Sequence, residues 1–122
     1  MQASVDTIGA DDLSSPVACT KVSVIMLVYN SATTIREGIA SVIAQTYEDW
    51  ELVVIDDCSE DITPELVRSL AAADNRIRLL INERNLGAAS SRNNGISQAQ
   101  GDWVAFLDSD DLWREDKLEK QL

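Results

Sequence analysis

Aromatic residues make up only 5% of this 122-residue chain, and its apolar content is mostly Val, Ile, Leu and Ala. That bias suits buried strands flanked by helices. Hydrophobic residues still reach 45%, which excludes wholesale disorder, and the length fits one compact domain. Cysteine is scarce as well. Cys19 and Cys58 lie far apart, match no metal-ligand spacing, and read as two free thiols in a reducing compartment. No apolar run approaches the length of a membrane span. The first twenty residues lack the basic and apolar regions of a secretory signal. A soluble cytoplasmic protein fits these absences, with membrane association expected only through regions outside this sequence. Positive charge is in short supply too, 10 Lys and Arg against 21 Asp and Glu, for a net charge of −11. The closest basic pair, Arg76 and Arg78, alternates along an expected strand and makes no patch. Such a surface repels nucleic acid and anionic headgroups, so no nucleic-acid partner is expected. An anionic ligand would need a cation or a few placed arginines to mediate.

What the chain does contain is a regular order of elements. Met1 to Thr20, rich in Ser, Asp, Ala and Thr with Gly9 and Pro16, shows no sustained period and is expected to be a flexible tail. From Lys21 onward, Val22 to Val28 is a nearly continuous apolar run, the mark of a strand covered on both faces. Asn30 and Ser31 stand where a helix cap is needed. Ile35, Ile39, Val42 and Ile43 then form one helical stripe. Glu51 to Ile55 is a second buried strand, ending in Asp56-Asp57. A second helix is expected from Asp61 to Thr63 onward, with Pro64 in its first turn and a stripe of Ile62, Leu66, Val67 and Leu70. Arg76 to Ile81 reads as a third strand, and Ala88 to Ala99 as a small-residue helix ended by Gly101. Trp103 to Leu107 is a fourth strand, ending in Asp108-Ser109-Asp110-Asp111. Glu115 to Leu122 is helical in composition. Strand and helix alternate four times without a hairpin signal, an order that predicts right-handed βαβ units and a parallel sheet. There is no internal repeat.

The polar residues with chemistry to offer gather at strand ends. In open α/β sheets ligands bind outside the carboxyl ends of the strands, near a switch in strand order. Tyr29-Asn30, Asp56-Asp57 and the Asp108 to Asp111 cluster all fall on that rim. Three carboxylates within four residues repel one another unless water or a divalent cation relieves them. Hard oxygen ligands suit Mg²⁺ or Mn²⁺, which keep positions open for phosphate oxygens. A solvated turn or a helix cap is the alternative for such a DSDD run. Asp56 and Asp57 leave two readings open: they stabilise the turn with Ser59, or they accept N–H or O–H bonds from a base or a ribose. Tyr29 offers either a stacking face or strand-end packing. Arg92 is either a surface arginine or a partner for a carboxylate or diphosphate. Asn85, Gly87 and Gly95 read as backbone requirements, Gly87 suiting a positive φ before the helix.

Four segments, VSVIMLVYN, IASVIAQTYEDWELVVIDDCSED, NLGAASSRNNGISQAQGDWVAFLDSDD and LWREDKLE, occur in the order and spacing of a known family. From Lys21 to Leu122 the chain resembles the N-terminal half of the family-2 inverting glycosyltransferases. The resemblance implies a Rossmann-like GT-A fold with a mostly parallel, four-stranded sheet, here truncated. It also implies roles. Tyr29 looks like the aromatic that lies against the nucleotide base, and Asp57, with Asp56 beside it, like the acid that contacts the base. Arg92 resembles the basic residue near the diphosphate. Asp108 and Asp110 match the DxD motif that holds the ribose and a divalent metal, with Asp111 sharing that task. The implied donor is a nucleoside-diphosphate sugar, a UDP-sugar foremost, and the implied acceptor a saccharide or lipid-linked molecule in polysaccharide or glycoconjugate synthesis.

The chain departs from the family where many members carry Pro-Thr or Pro-Ser before the Tyr-Asn pair, since it has Leu27-Val28. That removes a hydroxyl contact to the nucleotide. The catalytic base and the acceptor-binding elements of the family follow the point where this sequence stops, so no catalytic residue is assigned and the chain alone is expected to be inactive. Half of such a domain leaves apolar surface and a sheet edge open, so self-association is expected, and a monodisperse monomer by light scattering would contradict it. Two other classes compare less well. A receiver-type signalling domain needs an acidic pair after the first strand and a lysine after a fifth. A nucleotidyltransferase of similar fold needs a glycine-rich loop where this chain has Tyr29-Asn-Ser-Ala-Thr33. A non-catalytic interaction module remains a third alternative.

Overall fold

The structure, a computed structural model, describes residues 21–121. The expected N-terminal tail, Cys19 and Leu122 lie outside the described residues. In chain order the elements are β1 (Val22–Val28), α1 (Ile35–Ile43), β2 (Trp50–Asp56), α2 (Thr63–Ala73), β3 (Ile77–Ile81), α3 (Ala88–Gln98), β4 (Trp103–Asp108) and α4 (Lys117–Gln121). The four strands form one sheet in the order β3-β2-β1-β4, and every pairing is parallel. The chain steps from β1 to β2 to β3 in one direction. It then crosses back and lays β4 on the far side of β1. The switch in strand order therefore falls between β1 and β4.

Right-handed crossovers in opposite directions put their helices on opposite faces, and the core divides accordingly. On one face Ile35, Ile39 and Val42 of α1 and Val67 of α2 join Val24, Met26 and Val28 of β1 and Leu52 and Val54 of β2. On the other, Ile25, Val53, Ile55 and Val104 form a smaller cluster, with Leu27, Leu80 and Phe106 only partly buried. α3 covers that second face by close approach rather than by a broad apolar stripe. Gly95 is buried, and a Cβ placed there would lie 2.6 Å from Ile55 Cδ1 and 2.9 Å from Ile25 Cγ2. Its role is steric, not the backbone freedom expected from the sequence. Gly87, with φ of +88°, does have the positive φ expected of it.

Three local expectations are corrected. Ile43 and Ile62 are exposed, at 40% and 56%, because Ile43 ends its helix and Ile62 precedes the first turn of its own. Ser31 does not cap α1 with its side chain. The N-cap is Thr34, and Ser31 instead offers its carbonyl to the N–H groups of Thr34 and Ile35, at 3.0 and 2.9 Å. Arg76 sits in the turn before β3, where its guanidinium binds the Asp74 carboxylate at 2.8 Å and lies over the Trp50 ring. No helix among the described residues is long and apolar enough to cross a membrane.

Candidate metal and nucleotide site

Parallel register turns the carboxyl ends of the strands into one rim. Val28 pairs with Asp56, Asp56 with Ile81, and Leu27 with Asp108. Residues Tyr29, Asp57, Asn82 and Ser109, which follow those ends, are thereby brought to the same edge. Asp57 N–H also donates to Val28 C=O at 2.9 Å, which carries the β1–β2 ladder past the last strand residue.

The loops after β1 and β2 are laced to each other. Asn30 N–H donates to Ser59 Oγ at 2.8 Å, Glu60 N–H to Asn30 Oδ1 at 2.8 Å, and Ser31 N–H to Thr63 Oγ1 at 2.9 Å. Asp61 accepts the N–H and hydroxyl of Thr63 and the N–H of Ala32. These bonds hold two residues in the left-handed region, Asn30 at φ 48° and Cys58 at φ 63°. That conformation costs roughly 1 kcal/mol or more for a residue with a side chain and persists only where its surroundings over-determine it. Tyr29 stands on this floor with 45% of its surface open, and its backbone N–H is bonded to Ser31 Oγ at 3.2 Å.

The two carboxylates at the end of β2 differ in what they offer. Asp56 is wholly buried, with Oδ1 accepting the Ser59 hydroxyl at 2.6 Å and Oδ2 the Ser59 N–H at 2.9 Å. It presents no open oxygen to the crevice and acts on it through the turn it holds. This corrects its expected place among the nucleotide contacts. Asp57 is 8% exposed. Its Oδ1 accepts Leu86 N–H at 2.7 Å and Asn82 Nδ2 at 3.0 Å, and its Oδ2 accepts Gly87 N–H at 3.1 Å. The Leu86 N–H is the main reason its pKa sits below the ordinary aspartate value, against the opposing effect of burial, with Asn82, Gly87 and Ser91 adding to the lowering. Asp57 is thus a fixed anion at neutral pH that ties the rim of β2 to the start of α3.

At the end of β4 the chain turns back on itself, with Asp111 N–H donating to Asp108 C=O at 3.0 Å. The turn brings one carboxylate oxygen each from Asp108, Asp110 and Asp111 within 4.8 Å of one another. Ser31 Oγ donates to Ser109 Oγ at 3.1 Å, which fastens this turn to the β1 loop at the switch point. Beneath it lies α1. A Cβ on Gly38 would be 3.2 Å from Ser109 C=O and 3.6 Å from Asp111 C=O. Three oxygen ligands converging from one tight turn fit a hard divalent cation and leave its other positions for water or phosphate.

Tyr29, Asp57 and the acidic turn therefore lie along one edge of the sheet, at the carboxyl ends of β1, β2 and β4. Arg92 is exposed in the second turn of α3, next to Ser91, and makes no hydrogen bond or ion pair among the described residues. Two buried residues of the rim carry no signal in the sequence: Asn82 and Ser91, at 7% and 0% exposure. A lone Asn after a strand and a Ser on a polar helix become informative only once the fold joins them.

Comparison with known proteins agrees with this geometry. Residues 23–122 match the sequence profile of glycosyl transferase family 2. Over 101 residues the chain is 50% identical to a UDP-Glc:α-D-GlcNAc-diphosphoundecaprenol β-1,3-glucosyltransferase, WfgD, of Escherichia coli, covering 83% of this chain and 39% of the relative. S. aureus TarS 1-349 in complex with UDP-GlcNAc superposes with a TM-score of 0.78 at 35% identity, over 83% of this chain and 30% of that one. The mannosyltransferase PcManGT from Pyrobaculum calidifontis, in complex with GDP-Man and Mn²⁺, superposes at 0.76 and 32% identity, over 85% and 32%. The chain spans at most about 40% of the length of these curated relatives, and as little as 14% of one of them. The α/β sheet with its flanking helices is the GT-A arrangement, and the chain belongs to glycosyl transferase family 2.

Proposed function

We propose that this chain binds a nucleoside-diphosphate sugar, a UDP-sugar foremost, through a divalent cation held by the Asp108–Asp111 turn. In a longer protein it would serve inverting transfer of that sugar to a saccharide or lipid-linked acceptor in glycan synthesis. The observation that carries this reading is the convergence of three carboxylates within 4.8 Å at the switch point between β1 and β4.

In this reading Asp110 and Asp108, with Asp111, hold Mn²⁺ or Mg²⁺ (Asp108 also reaching the ribose), and Tyr29 lies against the base. Asp57, an acceptor-only anion, suits the N–H of a uracil ring. Arg92 approaches the diphosphate. When bound, the cation supplies Lewis-acid stabilisation of the departing nucleoside diphosphate. The UDP-GlcNAc of the S. aureus complex and the GDP-Man and Mn²⁺ of the Pyrobaculum complex support a nucleotide-sugar donor and a metal. The name of the E. coli relative supports a UDP-sugar and a diphosphate-linked lipid acceptor. Self-association of the chain is supported by the thinly covered α3 face, with its half-buried Leu27, Leu80 and Phe106. Calorimetry with UDP, in MnCl₂ and in EDTA, tests the proposal. Binding that requires Mn²⁺ is expected, whereas equal affinity in both, or none in either, removes the metal bridge.

A further inference from the structure

We propose that Asn82 is a positioning residue for base recognition: its side-chain amide fixes the carboxylate of Asp57 and ties it to the helix that carries Arg92. This inference rests on the reading of Asp57 as the acid that contacts the base.

Asn82 follows β3 directly, and its N–H is bonded to Asp56 C=O at 2.9 Å, so its backbone continues the sheet ladder and has little freedom. From that anchor the amide nitrogen makes two bonds at once, to Asp57 Oδ1 at 3.0 Å and to Ser91 Oγ at 2.8 Å. Both amide hydrogens are then used. Asn82, Asp57 and Ser91 are 7%, 8% and 0% exposed, so water does not readily replace a missing partner. Other donors to Asp57 are the N–H groups of Leu86 and Gly87, from the backbone immediately before α3, and the Ser91 hydroxyl on α3 itself. Asn82 thus adds a support from the sheet side to those that the loop before α3 gives the carboxylate. Its second bond fixes Ser91, the residue beside Arg92. One side chain holds both the base-reading acid and the helix expected at the diphosphate.

A carboxylate that reads a base by one N–H must be held within about 10–20° of its working orientation. Uracil presents an N–H where cytosine presents a lone pair, so UDP and CDP differ at the atom that Asp57 would read. Asn82→Ala is expected to lower the preference for UDP over CDP about tenfold, roughly the discrimination one well-placed hydrogen bond carries. Affinity for Mn²⁺ alone is expected to stay at the wild-type value. Asn82→Asp places a second carboxylate against Asp57. The pair can share one proton, and the protonated form restores the donor. Its UDP affinity is therefore expected to rise as pH falls from about 8 to about 6, while the wild type stays level. Asp56, Cys58, Glu83, Arg84 and Arg92 are the other ionisable groups of the neighbouring segments, and of all of these only Asp57 bonds to the Asn82 side chain.

The test is calorimetry of the 122-residue chain and both variants with UDP, CDP and MnCl₂, alongside thermal melts. A reduced UDP-to-CDP ratio in Asn82→Ala, with the acid-side gain in Asn82→Asp, supports the inference. Variants that melt earlier yet keep the wild-type ratio and a level pH profile overturn it. Should Asn82→Ala not fold, the pH profile of Asn82→Asp decides alone. A wild-type chain that binds UDP and CDP equally removes the Asp57 reading and this inference with it, an outcome distinct from failure of the variants.

Discussion

Gly95→Ala is expected to destabilise the chain by about 1–3 kcal/mol, the usual cost of forcing a methyl group into a filled core. Two effects of opposite sign compete. Alanine in a helix interior is favoured over glycine by up to about 1 kcal/mol. Against that, the new Cβ would lie 2.6 Å from Ile55 Cδ1 and 2.9 Å from Ile25 Cγ2. The Ile55 contact is the end of a side chain and can turn aside, but Ile25 Cγ2 is fixed to a β-branched carbon of the central strand. The helix must therefore move outward, and the steric cost outweighs the propensity gain. Outward movement also carries the Leu86 and Gly87 N–H groups away from Asp57. Gly38→Ala is the matched control. It too is a buried helical glycine, but its Cβ would meet nothing nearer than Ser109 C=O at 3.2 Å, with Met26 Cε at 3.5 Å and Asp111 C=O at 3.6 Å. A shift of a few tenths of an ångström relieves that contact, so the two effects nearly cancel and little change is expected. Thermal melts followed by circular dichroism compare the two directly. Equal melting temperatures would show that α3 does not depend on close approach at Gly95.

Asp110→Ala is expected to weaken Mn²⁺-supported UDP binding by at least about 100-fold, more than removal of an outer-shell partner costs a metal site. Asp110 is exposed and contributes one of the three converging oxygens, so its loss halts ligation without opening the core. Removing one of three like charges relieves repulsion in the metal-free chain. Its melting temperature without metal is therefore expected to hold or rise. That pairing of lost binding with retained stability separates a ligand from a structural residue. Asp110→Asn, which keeps an oxygen but not the charge, should fall between. A variant that melts like the wild type and still needs Mn²⁺ to bind UDP with full affinity would place the metal elsewhere.

The frame of the fold was legible because its signals are local. Apolar runs at Val22 to Val28 and Trp103 to Leu107 announce buried strands whatever surrounds them, and their alternation with helices leaves few topologies open. The acids at the strand ends were legible for the same reason, since a parallel sheet carries every such end to one edge. What could not be read depends on contact between segments. Asp56 and Asp57 are adjacent and chemically identical, yet one is wholly buried against Ser59 and the other, still slightly exposed, is braced by the backbone before α3. Ser31 offers its hydroxyl to a turn 78 residues away instead of to the helix it precedes. Asn82 gains meaning only when Asp57 and Ser91 close around it. The glycosyltransferase reading drew on motif order, whereas the crevice itself follows from strand order and charge.

Whether that crevice joins a cation to a diphosphate is the central question, and titration with UDP and with uridine, each in MnCl₂ and in EDTA, addresses it most directly. Uridine carries the base and ribose but no phosphate for a cation to bridge. Mn²⁺ is predicted to strengthen UDP binding by a large factor and to leave uridine binding unchanged. UDP affinity indifferent to Mn²⁺, or an equal gain for uridine, would contradict the account.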